Sequence, residues 1–238
     1  MSESKVAVVL GVGPGLGAAI VRRFAREGFT LGLMARSEEK LTQIQTELEK
    51  GGGTALSIPA DATDPASVSS AFAQVRQKLG TPDVFVYNTG AFQMGGILEI
   101  TPKQFESNWK ANCFGAFLGV QQVLPGMVER GRGTILFTGA TAATKGSARF
   151  AGLAVGKFGL RALAQSLARE FGPQGIHVAH IIIDGMIDTP RVRGMAPDRE
   201  QHTLVSPEAI AETYWQVYLQ DPTAWTLELD LRPAVEKF

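Results

Sequence analysis

Short apolar runs rich in β-branched residues alternate with longer helical patterns along the whole chain. This alternation predicts parallel strands with helices on both faces, and continuously apolar strands indicate a sheet covered on both sides. We interpret the strands as residues 5–10, 29–34, 54–58, 83–87, 133–138, 176–183 and 225–230. We interpret the helices as residues 15–27, 38–50, 65–79, 102–130, 150–171 and 206–220. We therefore expect a single α/β domain over residues 1–238, Rossmann-type and doubly wound, with a mostly parallel seven-stranded sheet.

A glycine-rich turn joins the first predicted strand to the first predicted helix. It reads Gly-Val-Gly-Pro-Gly-Leu-Gly from Gly11 to Gly17. Glycines allow the backbone to approach a pyrophosphate closely, and the helix N-terminus offers free N–H groups to it. Two glycine patterns fit, one on Gly13, Gly15 and Ala18 and the other on Gly11, Gly15 and Gly17. We expect a dinucleotide phosphate site made by Gly11, Gly13, Gly15, Leu16 and Gly17.

The end of the second predicted strand bears on which dinucleotide binds. A carboxylate there bonds the ribose 2′-hydroxyl of NAD, whereas an arginine accommodates the 2′-phosphate of NADP. This chain has Arg36 and Ser37 at that point and no acid at the strand end. The sequence favours NADP, with NAD as the alternative cofactor and a solvated surface arginine as the alternative role of Arg36.

Charge and cysteine content exclude several classes of function. Lys+Arg and Asp+Glu both number 23, so nothing draws the chain to nucleic acid or to an anionic membrane. Cys113 is the only cysteine, which rules out an intrachain disulfide and fits a reducing compartment. No apolar run is long enough to cross a membrane, and three scattered histidines do not form a metal site. We expect a cytoplasmic protein without a bound metal.

Motifs spread over nearly the whole chain resemble those of the short-chain dehydrogenase/reductase family. The matching positions are Gly11, Gly15, Gly17, Asp61 followed by Ala62, Asn88, Gly90, Asn112, Lys157, Gly185 and Thr189. The resemblance implies that Asp61 contacts the adenine and that Thr189 contacts the nicotinamide amide. It also implies that Asn112 and Lys157 belong to the active site, with Lys157 holding the ribose hydroxyls as well. Asp184-Gly185 stands where the family usually has Pro-Gly.

Two positions depart from the family's catalytic set. Leu153, four residues before Lys157, replaces the family's tyrosine, and Ala140 replaces its serine. Neither side chain has a hydrogen-bond donor or acceptor, and general acid–base help is typically worth about 10²–10⁴-fold in rate. Thr141 is a possible replacement for the missing hydroxyl. Other polar groups near the same positions are Tyr87, Thr138, Lys145, Arg149 and Asp184.

Two functions fit this mixture of retained and lost residues. One is an NAD(P)-dependent oxidoreductase with an altered catalytic set, acting on an unidentified carbonyl or alcohol. The other is a nicotinamide-cofactor-binding protein without redox turnover, acting as a sensor, scaffold or oligomer partner. The retained Asn112 and Lys157 favour the first, and the loss of serine and tyrosine favours the second.

Two further segments predict partners and substrate access. Helices 102–130 and 150–171 are more apolar than one sheet face requires. In the resembling family they form a dimer contact, and the last strand often adds a second contact that makes a tetramer. We therefore expect a homodimer or homotetramer. Residues 190–205 are polar and irregular, and we predict a substrate lid over residues 187–205.

Overall fold

The computed structural model describes residues 5–236 and contains one seven-stranded sheet in the order β3-β2-β1-β4-β5-β6-β7. All neighbouring strands are parallel, including the last pair. The strands are β1 Val6–Leu10, β2 Thr30–Ala35, β3 Thr54–Pro59, β4 Val84–Tyr87, β5 Gly133–Thr138, β6 Ile176–Ile183 and β7 Glu228–Leu231. The predicted single-domain, doubly wound fold is confirmed, and the sheet is entirely rather than mostly parallel.

Helices cover both faces of this sheet. They are α1 Leu16–Ala25, α2 Glu38–Lys50, α3 Pro65–Lys78, α4 Pro102–Trp109, α5 Gly115–Glu129, α6 Ala151–Phe171, α7 Pro190–Met195 and α8 Pro207–Tyr218. One core layer lies on the side of α1, α2 and α8, where Phe24 meets Trp215 edge-on at 5.4 Å. The other lies on the side of α3, α5 and α6, where Phe72 meets Phe85 at 5.6 Å. Within residues 5–236, no helix has the length and apolarity needed to span a membrane.

The helix predicted over 102–130 is interrupted by a π-helical turn at Lys110–Phe114. The cause lies in two asparagines. The Asn112 side-chain amide donates to the Asn108 carbonyl at 3.0 Å and to the Asn108 Oδ1 at 2.8 Å. In a regular α-helix that carbonyl would accept the Asn112 backbone N–H, so the side chain competes with the helix for the same group.

The last strand begins later than predicted, at Glu228 rather than residue 225. The backbone of Thr226 forms hydrogen bonds with side chains instead of with the backbone of β6. Its N–H donates to the Gln220 side chain at 2.7 Å, and its carbonyl lies 2.9 Å from His177 Nε2. The Trp225 ring stacks on the His177 imidazole with 4.8 Å between centroids. These contacts hold residues 225–226 outside the sheet ladder.

The strand order places the loops that matter for function. The sheet is wound in one direction from β1 to β3 and in the other from β4 onwards, so a crevice opens at the carboxyl ends of β1 and β4. Ligands of open α/β sheets bind in this crevice. The loops that follow β1, β4, β5 and β6 therefore surround one site.

Candidate active site

The glycine turn after β1 is built so tightly that two of its positions exclude any side chain. Gly11 has φ +112°, and a Cβ there would lie 2.5 Å from the Asn88 carbonyl carbon. A Cβ on Gly17 would lie 2.6 Å from the Gly11 oxygen. Gly13 differs, because a Cβ there would meet nothing within 4 Å. The turn therefore packs against β4 on one side and leaves its Gly13 face open.

A groove of about 450 Å³ runs from this turn along the carboxyl ends of the strands. The predicted cofactor residues that line it are Gly11, Gly13, Arg36, Asp61, Ala62, Asn88 and Gly90. Of the others, Gly15 is the N-cap of α1, and Leu16 and Gly17 are buried in its first turn. The sheet thus brings residues from four separate loops to one concave surface.

Asp61 and Arg36 face each other across one end of the groove. The Asp61 carboxylate accepts hydrogen bonds from the Thr63 N–H and the Thr63 hydroxyl, each at 2.8 Å. The bond from the Thr63 N–H is the main cause that lowers the pKa of Asp61, and the positive charge of Arg36 adds to it. Arg36 is exposed, and its guanidinium has no hydrogen bond or ion pair within residues 5–236. This end of the groove therefore presents an available cation.

A chain of hydrogen bonds fixes Asn88 under the glycine turn. The Asn88 amide donates to the Gly11 carbonyl at 2.9 Å, and its Oδ1 accepts from the Thr138 hydroxyl at 3.0 Å. Thr138 and the Tyr214 hydroxyl are 2.7 Å apart. Since the Thr138 proton goes to Asn88, Tyr214 donates to Thr138. Burial raises the pKa of Tyr214, which keeps this phenol protonated and able to donate.

Lys157 lies on α6 with its ammonium group buried beside the groove. Its Nζ donates to the Thr138 carbonyl at 2.8 Å. Burial lowers the pKa of Lys157 to about 8, because removal from water disfavours the charged form. A Cβ built on Gly90 would come within 3.7 Å of this Nζ. The lysine amine therefore lies directly behind the backbone that lines the groove.

Asn112 enters the same region from the π-helical turn. A Cβ built on Gly90 would lie 3.2 Å from its Oδ1, and a Cβ on Gly156 would lie 2.6 Å from its own Cβ. Gly156 on α6 thus permits the close helix approach that places Asn112 beside Lys157. The Asn112 Oδ1 is buried and has no hydrogen-bond partner among the described residues. A buried acceptor of this kind requires a partner. The Asn112 Oδ1 lies behind Gly90, which lines the groove.

A second cavity, of about 400 Å³, lies next to the groove and is mostly apolar. Ala91 lines the groove and the next residue, Phe92, lines the cavity, so the two spaces are neighbours. Ala140 and Leu153 both lie in the cavity wall. The two positions that the sequence analysis singled out as departures from the family pattern therefore line one space.

Thr141 also lines this cavity, and it begins a chain of polar contacts. Its hydroxyl donates to Asp184 Oδ1. The other Asp184 oxygen is 3.5 Å from Arg232 Nη1, and Arg232 also pairs with Asp230 at 3.1 Å. The carboxylate of Asp184 is thus held between a hydroxyl that faces the cavity and a guanidinium on the C-terminal segment.

The predicted lid, residues 187–205, is more regular than its composition suggests. A parallel bridge between Ile187 and Val205 closes it at the base, and it contains α7 and a short 3₁₀ turn. Thr189 caps α7 by accepting from the Val192 N–H at 3.2 Å. A Cβ built on Gly15 would lie only 2.5 Å from the methyl group of Thr189. Thr189 therefore lies against the glycine turn, and Gly185 lines the cavity.

Some candidate polar groups do not reach the cavity. Tyr87 is buried, and its hydroxyl donates to the Ala111 carbonyl at 2.7 Å. Arg149 forms a bidentate ion pair with Glu99 at 2.7 and 2.8 Å. His177 and His180 are buried on β6. Among residues 5–236, no group of three or more His, Cys, Asp or Glu side chains is arranged to hold a metal ion.

Comparison with known proteins places this geometry in a family. Residues 5–200 match the family model described as short chain dehydrogenase. The chain belongs to the short-chain dehydrogenase family. A short-chain dehydrogenase/reductase of Hericium erinaceus is 32% identical over 199 residues, which cover 82% of this chain and 79% of the relative.

Solved structures of short-chain dehydrogenases share the whole fold. One from Rhodopseudomonas palustris has 37% sequence identity and a TM-score of 0.84, covering 96% of this chain and 98% of the other. An alcohol dehydrogenase from Thermococcus sibiricus, complexed with 5-hydroxy-NADP, has 26% identity and a TM-score of 0.89 over 99% of both chains. The chain is therefore a member of an oxidoreductase family in which solved relatives bind a nicotinamide cofactor.

Sequence reasoning missed four residues that organise this site: Thr138 as an anchor, Tyr214, Arg232 and Gly156. Of these four, only Gly156 could have been recognised from the sequence. It belongs to a series of glycines in α6, at 152, 156 and 159, which lie on the side of the helix that faces α4 and the π-helical turn. Tyr214 and Arg232 come from the C-terminal region, and only the fold brings them near β5 and β6.

Proposed function

We propose that this protein is an NADP-dependent short-chain oxidoreductase that acts on a carbonyl or alcohol with an altered catalytic set. The observation that carries the proposal is the junction of two spaces. The groove that starts at the glycine turn lies next to an apolar cavity. Thr141 lines the cavity, and Asn112 and Lys157 lie behind Gly90 in the groove wall. The chemical identity of the substrate is open at this level.

The residues present fit a nicotinamide dinucleotide. Gly11 and Gly17 allow the close backbone approach that a pyrophosphate needs. The buried, unpartnered Asn112 Oδ1 and the Lys157 amine offer polar contacts at the far end. We assign cofactor binding to Gly11, Gly13, Gly15, Leu16, Gly17, Arg36, Asp61, Ala62, Asn88, Gly90, Lys157, Gly185 and Thr189. The available Arg36 guanidinium favours NADP over NAD, and the NADP-type ligand of the Thermococcus relative supports this choice.

Catalysis in this proposal uses Thr141 in place of the family's tyrosine and serine. The cofactor supplies the hydride acceptor or donor. During alcohol oxidation, Thr141 Oγ takes the substrate hydroxyl proton as its own proton passes to Asp184, and the partly exposed Asp184 then releases that proton to solvent. Arg232 stabilises the Asp184 carboxylate between turnovers, and the charge of Lys157 favours the developing alkoxide. In carbonyl reduction Asp184 takes a proton from solvent and passes it through Thr141 Oγ to the substrate oxygen.

The test is NADPH oxidation by the purified protein against a broad carbonyl panel, with NADP⁺ reduction against the matching alcohols. Turnover that falls at least tenfold in Thr141→Val and in Asp184→Asn, and survives in Thr141→Ser, supports the proton path. Turnover unchanged in all three variants would show that another group transfers the proton. Cofactor binding is measured in parallel, so that a folding defect is separated from a catalytic one.

The alternative is a cofactor-binding protein without redox turnover. Ala140 and Leu153 favour it, because both line the cavity and neither side chain has a hydrogen-bond donor or acceptor. In that case NADPH binds normally, no substrate in the panel is turned over, and Thr141→Val changes nothing.

The assembly we propose is a homodimer or homotetramer, in the cytoplasm. Phe117 and Phe158 are each 41% exposed and Val155 is 47% exposed. Phe114 stacks between Trp109 at 5.4 Å and Phe117 at 6.1 Å. This apolar surface on α4, α5 and α6 fits a second copy of the chain.

A further inference from the structure

The apolar cavity has two charged residues in its lining, and both are cations. Its walls are built mainly from Phe92, Phe150, Leu153, Ile183, Val192 and Met195. Lys145 and Arg191 are the charged residues of the lining, and no carboxylate lies among them within the described chain. Both side chains are exposed, as are those of Phe92 and Met195, whereas Ile183 is buried, so the two charges lie at the mouth of the cavity.

Neighbouring cations are neutralised, whereas these two are not. On the same segments, Arg149 pairs with Glu99 and Arg193 pairs with Asp188, each through two bonds of 2.7–2.8 Å. Lys145 and Arg191 have no side-chain hydrogen bond or ion pair in the part of the chain that the structure describes. On these two segments, the cations without a partner are therefore the two that line the cavity.

The apolar surface continues outward from the mouth. Phe92 and Met195 line the cavity and are 58% and 62% exposed. Leu98 is 98% exposed on the segment that follows Phe92. A ligand with an apolar body would be stabilised in the cavity because it would remove this apolar surface from water.

We infer that the cavity binds a substrate with an apolar body and one anionic group, such as a carboxylate, held by Lys145 and Arg191. The inference rests on the proposed function only in calling the ligand a substrate. A cationic ligand would be repelled by both residues. An anion at the rim meets two opposite charges with no competing carboxylate in the lining.

The experiment measures binding to the cofactor-free protein and needs no turnover. The probes are 2-naphthylacetate and its neutral analogue 2-naphthylacetamide, titrated by calorimetry. The acid should bind about tenfold tighter than the amide, the size expected for charge-assisted contacts. In the double variant Lys145→Met with Arg191→Met, the two affinities should become equal while the affinity for the amide stays constant.

Arg132→Met is the matched control, because it removes one exposed cation just before β5, at the opposite end of the strand from the cavity. It should leave the tenfold preference intact. Raising NaCl from about 20 to about 500 mM should weaken the preference in the parent protein. This measurement keeps the inference testable if the double variant misfolds.

Three results would overturn the inference. They are equal affinities for acid and amide in the parent protein, a preference that persists in the double variant, and displacement of the acid by saturating adenosine 2′,5′-bisphosphate. The last would place the acid in the groove beside Arg36. If the acid binds as expected while the carbonyl panel shows no turnover, the redox proposal fails and the ligand class stands.

Discussion

Lys157 places a titratable amine in a buried position, and this makes the stability of the protein depend on pH. Its pKa is lowered to about 8 from an ordinary 10.5, so the unfolded chain binds more protons between these values. The contribution of Lys157 to the free energy of unfolding therefore does not vary with pH below about pH 8. It rises as the pH increases from 8 towards 10.5. By pH 9.5 the gain is about 2 kcal/mol, from about 1.4 kcal/mol per pKa unit.

Urea unfolding of the cofactor-free protein at about pH 7.5 and about pH 9.5 measures this gain against Lys157→Met. The parent protein should gain about 2 kcal/mol relative to the variant over that interval. An identical pH dependence in both proteins would show that Lys157 is not buried as described.

Arg36 should decide cofactor preference. The Arg36→Met variant loses one charge-assisted contact, so its affinity for NADPH should fall about tenfold while that for NADH stays nearly constant. Quenching of tryptophan fluorescence measures both affinities. Arg132→Met again serves as the control for a loss of one surface charge. Equal loss of NADPH and NADH binding would assign Arg36 a role other than the 2′-phosphate contact.

Ala140 and Leu153 should respond as a pair. Both line the apolar cavity, and Leu153 lies one helical turn before Lys157 on α6. The double change Ala140→Ser with Leu153→Tyr should raise turnover of small ketones well above that of the parent. Each single change should help less, because catalytic groups that act together are non-additive. Brisk ketone reduction by the unmodified protein, insensitive to Leu153→Ala, would contradict the roles given to both positions.

At the scale of elements, one carboxylate joins β7 to both α6 and β6. Glu228 accepts two bonds from Arg161, at 2.6 and 2.7 Å, and lies 3.1 Å from His180 Nδ1. Because the Arg161–Glu228 ion pair is partly buried, Glu228→Gln should lower the free energy of unfolding by about 1–2 kcal/mol. The matched control is Glu47→Gln, which breaks the more exposed pair with Arg22 and should cost about 0.5 kcal/mol or less. Equal losses in both variants would show that the junction at Glu228 is no stronger than a surface ion pair.

At the scale of the whole molecule, the exposed apolar face of α5 and α6 predicts self-association. Phe158→Glu would place a charge in the centre of that contact, so the variant should sediment as a monomer at micromolar concentration, whereas the parent protein should sediment as a dimer or tetramer. Phe92→Glu is the control, since Phe92 is also exposed but lies at the cavity. A parent protein that is a stable monomer would contradict the assembly.

Much of the fold was predictable because its signals are local. Strand–helix alternation gave the doubly wound sheet, and the glycine turn at Gly11–Gly17 lies between β1 and α1 as expected. The lining of the groove by Arg36, Asp61 and Asn88 follows from one rule, that parallel strands end at the same edge of the sheet. The resemblance to the family also singled out Ala140 and Leu153, and both line the apolar cavity.

Only the tertiary structure could decide the contacts between distant parts of the chain. The π-helical turn depends on the Asn112 side chain bonding to Asn108, which helical periodicity does not reveal. Tyr214 and Arg232 reach Thr138 and Asp184 because α8 and the segment after β7 fold back over the carboxyl ends of the strands. The sequence by itself determined the sheet and the dinucleotide-type groove, because these follow from periodicity and glycine geometry. The buried polar chains and the cationic mouth of the cavity were decided by packing, because hydrogen bonds and uncompensated charges depend on which distant side chains meet.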